Sequence, residues 1–159
     1  MQRMQEEIER VRRHGSSLSV LLFDLDHFKP INDEGGHALG DEMLRRIAQI
    51  VAWEVRRSDH VARQGGDEFA VLLPSCTLGQ AERIAESLRQ SVSEVTVTHE
   101  GKEYSVTLSI GVTTFDECDE TVDVAISRAD AASYEAKGEG RDAVVVKLPE
   151  QFDPLELFG

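Results

Sequence analysis

The chain has 159 residues, 40% of them hydrophobic, and a formal net charge of −13 at neutral pH. That length suits one domain, and the apolar fraction is enough for one core. The acidic balance argues against a nucleic-acid surface, where basic patches supply most of the affinity, and no apolar run approaches the roughly 20 residues of a membrane helix. An anionic ligand would instead need metal ions and a few well-placed cations.

No basic-then-apolar leader opens the chain, so a cytoplasmic domain is expected. Cys76 and Cys118 form no CxxC or Cys/His spacing, so both are read as reduced thiols. The opening "MQRMQEEIERVRRHG" predicts a helix with Met1, Met4, Ile8 and Val11 on one stripe and Gly15 as its stop. The chain thus begins inside a helix-like pattern, as a piece of a longer protein would. "SLSVLLFDLD" predicts a strand buried on both faces, carrying Asp24 and Asp26 at its end. "HFKPINDEGGHALGD" reads as a bend before a helix from about Asp41 to Arg56, with Leu44, Ile47, Val51 and Val55 inward.

"HVARQGGDEFAVLLP" reads as strand, turn and strand, with Gly65 and Gly66 supplying positive φ angles. "TLGQAERIAESLRQSV" predicts a helix opened by a capping box of Thr77 and Gln80, with Ile84, Ala85, Leu88 and Val92 buried. "VTVTHEGKEYSVTLSIGVTTF" alternates, which predicts a hairpin around "EGK" with Tyr104, Val106, Leu108, Ile110 and Val112 on one face. A last helix from about Val122 to Lys137 has a small inner face of Ala125, Ala129, Ala132 and Ala136. "GEGRDAVVV" turns into a short strand, and residues 149–159 form a tail. Mixed strands and helices without strict alternation predict an α+β fold, a mostly antiparallel sheet with helices packed around it.

The acids stand out. If the strand ending in Asp24 lies beside the turn carrying Asp67 and Glu68, three carboxylates meet. Such a group repels itself unless a cation joins it, and hard oxygen donors select Mg²⁺ or Mn²⁺. Gly65 and Gly66 would let the backbone approach a ligand closely. On spacing alone the purely structural reading is favoured, because acids at strand ends and paired glycines in hairpins are both common.

Ordered motifs decide between these readings. "GGDEF", "FDLDHFKPIND", "GHALGD", "TLSIGV" and "ADAASYEAKGEGRD" occur in sequence and at matching separations. Together the chain resembles the GGDEF-domain diguanylate cyclases over nearly its whole length. The resemblance implies a palm-type nucleotidyl cyclase fold over residues 1–148. It implies the condensation of two GTP into cyclic di-GMP and two pyrophosphates by a Mg²⁺- or Mn²⁺-dependent homodimer, usually placed downstream of a sensor domain.

By that resemblance, Asp24, the Leu25 carbonyl, Asp67 and Glu68 are metal ligands, and Asp67 or Glu68 assists deprotonation of the 3′-hydroxyl. Asp26 supports the loop. Phe28 and Lys29 present backbone N–H groups to phosphate. Asn32 and Asp41 read guanine, whose edge suits an amide and a carboxylate; without the family, helix caps would account for both. His37 shapes the loop, Gly65 and Gly66 border the substrate, and Lys137 and Arg141 hold triphosphate. Arg56 and Asp59, an RxxD pattern ahead of Gly65, match the family's product-inhibition site, with Arg83 or Arg89 a candidate second cation.

The chain departs from the family pattern in three places. It lacks the usual DxLTGLxNR opening. Ser133 stands where leucine is usual, which predicts weaker helix packing. Asp142 stands where asparagine is usual, which sets a negative charge beside Arg141. The alternative reading is a catalytically silent GGDEF module that binds cyclic di-GMP or GTP.

Overall fold

The computed structural model describes Glu6, Glu9 and residues 18–115 and 121–149. The apolar stripe expected at Met1, Met4, Ile8 and Val11, Cys118, and the tail beyond Pro149 lie outside them. The central strand β1 (Leu18–Asp26) is flanked on one side by β3 (Glu68–Pro74) and on the other by β6 (Thr107–Thr114), both antiparallel. The edge strand β2 (His60–Arg63) pairs antiparallel with β3, and β7 (Ala143–Val146) runs parallel to β6 at the other edge, which completes the order β2-β3-β1-β6-β7. The mostly antiparallel sheet flanked by helices agrees with the α+β palm fold read from the sequence.

The continuous apolar run of β1 follows from its central place. Leu21, Phe23 and Leu25 enter a core with α1 (Phe28–Glu54) and α2 (Leu78–Ser93). Leu18, Val20 and Leu22 face the other way, onto Ala125 and Ala129 of α3 (Val122–Gly138). All four inward alanines of α3 are fully buried. Gly111 of β6 allows that approach, because a side chain there would collide with the Ala129 carbonyl and the Ser133 amide. The Thr77–Gln80 capping box opens α2 as expected.

Three elements differ from the sequence reading. The helix expected from Asp41 already begins at Phe28 and kinks at Gly36 (φ 71°, ψ −173°). Burial of Phe28, Ile31 and Leu39 stabilises the early turns that "NDEGG" argues against. The alternating stretch after residue 95 is two units. A small hairpin of β4 (Val97–His99) and β5 (Lys102–Tyr104) turns through Glu100 (φ 51°) and Gly101 (φ 79°), and β6 then joins the main sheet. Gly65 and Gly66 do not have positive φ; the described glycines that do are Gly36, Gly101 and Gly140.

Candidate active site

The sheet register sets Asp24 directly opposite Glu68, on the face that α3 covers. One step further, the Leu25 N–H donates to the Asp67 carbonyl at 3.1 Å, which ties the turn to the end of β1. Glu68 is half-buried, and its carboxyl is held above the ordinary carboxylate range. Burial is the main cause, followed by the negative charges of Asp24 and Asp130; Lys137 opposes the rise and Asp67 adds to it. Lys137, in the last turn of α3, makes an ion pair with Asp24. Burial works against its charge, but the hydrogen bond to Asp24 and the fields of Asp24, Asp67 and Asp26 prevail and raise its pKa.

Asp26 has a different task. It is buried, with Oδ1 accepting from Ser109 Oγ at 2.7 Å and Oδ2 from Thr107 Oγ1 at 2.7 Å and the Asp142 N–H at 3.1 Å. Both of its oxygens are engaged, which ties the end of β1 to β6 and to the loop after α3.

The expected meeting of three carboxylates is only partly present. Asp24 and Glu68 are cross-strand neighbours, but no three His, Cys, Asp or Glu groups gather closely enough for a metal among the described residues. A lysine, rather than another acid, stands against Asp24. In chemistry the set still fits a hard divalent cation. Its donors are carboxylate and carbonyl oxygens, and the negative charge that adds to burial in raising Glu68 is what such a cation relieves.

The turn between β2 and β3 lies open. A side chain at Gly65 or Gly66 would meet no protein atom within 4 Å. Neither a left-handed backbone nor internal packing therefore demands glycine there. Arg63 holds this turn: Nε donates to the Gly65 and Gly66 carbonyls at 3.1 Å each, and Nη2 to the Gly66 carbonyl at 2.6 Å. Sequence reasoning missed Arg63. Its signal was a fork of donors at the end of a strand, beside a turn whose carbonyls have few other partners.

At the start of α1, His27 adopts φ 60° and gives no side-chain cap, and the first turn contains no acid. That terminus, with buried Phe28 and exposed Lys29, has the polarity that suits an anion. Asn32 and Asp41 both lie inside α1, so neither is its cap. The Asn32 amide rests against Gly40, where a side chain would collide with Oδ1. Asn32 and Gly40 lie on either side of the kink at Gly36, and His37 follows it as an exposed residue.

Arg141 is exposed, at φ 67°, just beyond α3. Ser133 does not loosen α3: it is buried, and its Oγ donates to the Ser109 carbonyl at 2.9 Å. The Asp142 carboxylate is met by Arg89 at 2.8 Å, so that arginine is engaged within the chain; Arg83 is exposed.

Arg56 and Asp59 close the turn after α1. The Arg56 N–H donates to Asp59 Oδ2 at 2.7 Å, and its Nη2 reaches the Pro74 carbonyl at 3.0 Å. Asp59's side chain is buried while half of Arg56's is exposed. Pro74 and Glu68 are opposite ends of β3, so this pair stands on the order of 20 Å from the acids.

The sequence matches the family described as "Diguanylate cyclase, GGDEF domain" over residues 1–143. The chain belongs to the GGDEF diguanylate cyclase family. It is 44% identical over 142 residues to the response regulator PleD of Caulobacter vibrioides, covering 88% of this chain and 31% of that protein. Diguanylate cyclase DgcP of Pseudomonas aeruginosa is 39% identical over 145 residues, 91% of this chain and 22% of the relative. The chain thus spans between about a fifth and a third of these relatives. Among solved structures, the P. aeruginosa diguanylate cyclase SiaD, in complex with its activator SiaC, superposes with TM-score 0.86 and 41% identity, over 92% of this chain and 56% of that one. The GGDEF domain of DgcB from Caulobacter crescentus, in complex with c-di-GMP, gives TM-score 0.86 and 27% identity over 91% and 86% of the two chains. No described helix of this GGDEF domain is long and apolar enough to cross a membrane.

Proposed function

We propose that this GGDEF domain is a diguanylate cyclase, joining two GTP into cyclic di-GMP with release of two pyrophosphates. The observation that carries the reading is Asp24 opposite Glu68, with Lys137 against Asp24 and an open Gly65–Gly66 turn beside them. The relatives named diguanylate cyclases support it. Asp24, the Leu25 carbonyl, Asp67 and Glu68 would hold Mg²⁺ or Mn²⁺, which when bound activates the attacking hydroxyl and offsets phosphate charge.

The chain's own residues do the rest. Asn32 and Asp41 orient guanine through its donor and acceptor edge. The N–H groups at Phe28 and Lys29, with Lys137 and Arg141, bind the triphosphate. A carboxylate of Glu68 or Asp67 accepts the 3′-hydroxyl proton; burial and the neighbouring acids raise the proton affinity of Glu68. The oxygen then attacks the α-phosphorus of the GTP on a second subunit, and pyrophosphate leaves. Two such transfers close the ring, so the reaction needs a homodimer. Arg56 and Asp59 form a separate site at which the product inhibits.

The test is incubation of nucleotide-stripped protein with GTP and Mg²⁺ at high concentration, followed by mass spectrometry. Cyclic di-GMP is the expected product. Its absence, both here and from a longer chain with the upstream segment restored, would overturn the reading in favour of a silent nucleotide-binding module.

A further inference from the structure

We infer that Arg89 is a positioning residue for Arg141, acting through its ion pair with Asp142; this deepens, and rests on, the reading of the pocket as a GTP site. Gly140, Arg141 and Asp142 are three successive residues with positive φ, at 108°, 67° and 47°. Left-handed backbone at two non-glycine residues in a row persists only where surrounding contacts fix it.

Three contacts do so. The Arg141 N–H donates to the Ala136 carbonyl at 3.1 Å, which anchors the loop to α3. The Asp142 N–H donates to Asp26 Oδ2 at 3.1 Å, which anchors it to β1. Arg89 Nη1 donates to Asp142 Oδ1 at 2.8 Å, which anchors it to α2, a helix of the opposite layer. Arg89 is itself held in place: Nε and Nη2 donate to Glu86 Oε2 at 3.3 and 3.1 Å, leaving Nη1 for Asp142. The Arg89 side chain is three-quarters covered, 24% exposed.

The pair has a second effect. A carboxylate at position 142 sits next to a cation meant for phosphate and would repel the ligand. Arg89 offsets that charge. An asparagine tolerates the left-handed backbone as an aspartate does, and it has no charge to be offset. Arg89 and Asp142 therefore act as a unit: the acid creates a requirement that the arginine meets.

The experiment measures binding of 3′-deoxy-GTP with Mg²⁺ by calorimetry, because that nucleotide has no hydroxyl to react. Wild type, R89A, D142N and the double variant are compared, with amide exchange at Asp142 as a structural readout. R89A is expected to bind roughly two- to fivefold more weakly, the scale of a partly exposed ion pair, and to exchange the Asp142 amide faster. D142N is expected to bind at least as tightly as wild type, and the double variant to recover its affinity. Unchanged affinity in R89A, or a double variant as weak as R89A, would overturn the inference alone. Failure of wild type to bind would overturn the GTP-site reading and the inference with it. If R89A does not fold, R89Q replaces it in both comparisons.

Discussion

The side-chain amide of Asn32 lies against Gly40, and no other residue at position 40 leaves it room. The glycine of "GHALGD" thus has a task eight positions back along the same helix: it leaves room for the Asn32 side chain across the kink. G40A should fold, since its backbone is helical, but with a loss of about 1–3 kcal/mol from overpacking. Its affinity for GTP should fall by about ten- to a hundredfold, the scale of one or two lost hydrogen bonds. Titration with GTP checks this; affinity equal to wild type would remove Asn32 from the binding site.

Glu68 gives a pH-dependent prediction. Its pKa is raised in the folded protein, so the fold holds this proton more tightly than the unfolded chain does. The stability it contributes is present below the ordinary carboxylate pKa and lost as pH rises through the raised value. Glutamine carries no charge at either pH. E68Q should therefore melt higher than wild type at pH 7, and the difference should shrink toward zero near about pH 4. Turnover should be lost at the same time, a stability gain at the cost of function. Calorimetric melting at the two pH values decides it: a difference independent of pH would show that burial and neighbouring charge do not raise the Glu68 pKa.

Much of this arrangement was legible in the sequence, and the exceptions have physical causes. The continuous run of β1 and the four alanines of α3 report burial directly, because nothing but packing explains them. The start of α1 was hidden because its local residues favour a loop, and only the tertiary burial of Phe28 and Ile31 overrides them. The break at Ser105–Val106 was hidden because alternation continues across it while the chain changes sheets. Ser133 looked like a packing fault by residue type, yet the carbonyl it needs comes from Ser109 on another element. Arg89 and Asp142 are 53 positions apart, and no periodicity links them.

The paired glycines separate folding from function. A methyl group at Gly66 meets no protein atom, and its φ is not left-handed. G66A should therefore keep the fold, with stability unchanged or raised by up to about 1 kcal/mol through a less flexible unfolded chain. Turnover of GTP should fall, because the added carbon occupies the space a nucleotide approaches. Melting and product formation are measured together. Full activity would remove the argument from close approach, and a large loss of stability would mean that the turn itself requires glycine.

Arg56 tests the second site. Its guanidinium has one well-placed hydrogen bond, to the Pro74 carbonyl, and a longer contact of 3.5 Å to Asp59. Half of the side chain faces solvent, so its fork is available to a ligand. Asp59 keeps the Arg56 backbone N–H whatever side chain stands at 56, so R56A should leave the turn intact. Affinity for cyclic di-GMP should fall by about ten- to a hundredfold, the scale of hydrogen bonds to a charged donor. Progress curves of GTP consumption should then slow less as product accumulates. Titration of cyclic di-GMP into both proteins, in GTP-free buffer, isolates this site from the acids at the far end of β3. Wild-type affinity in R56A would place the inhibitory site elsewhere on the domain.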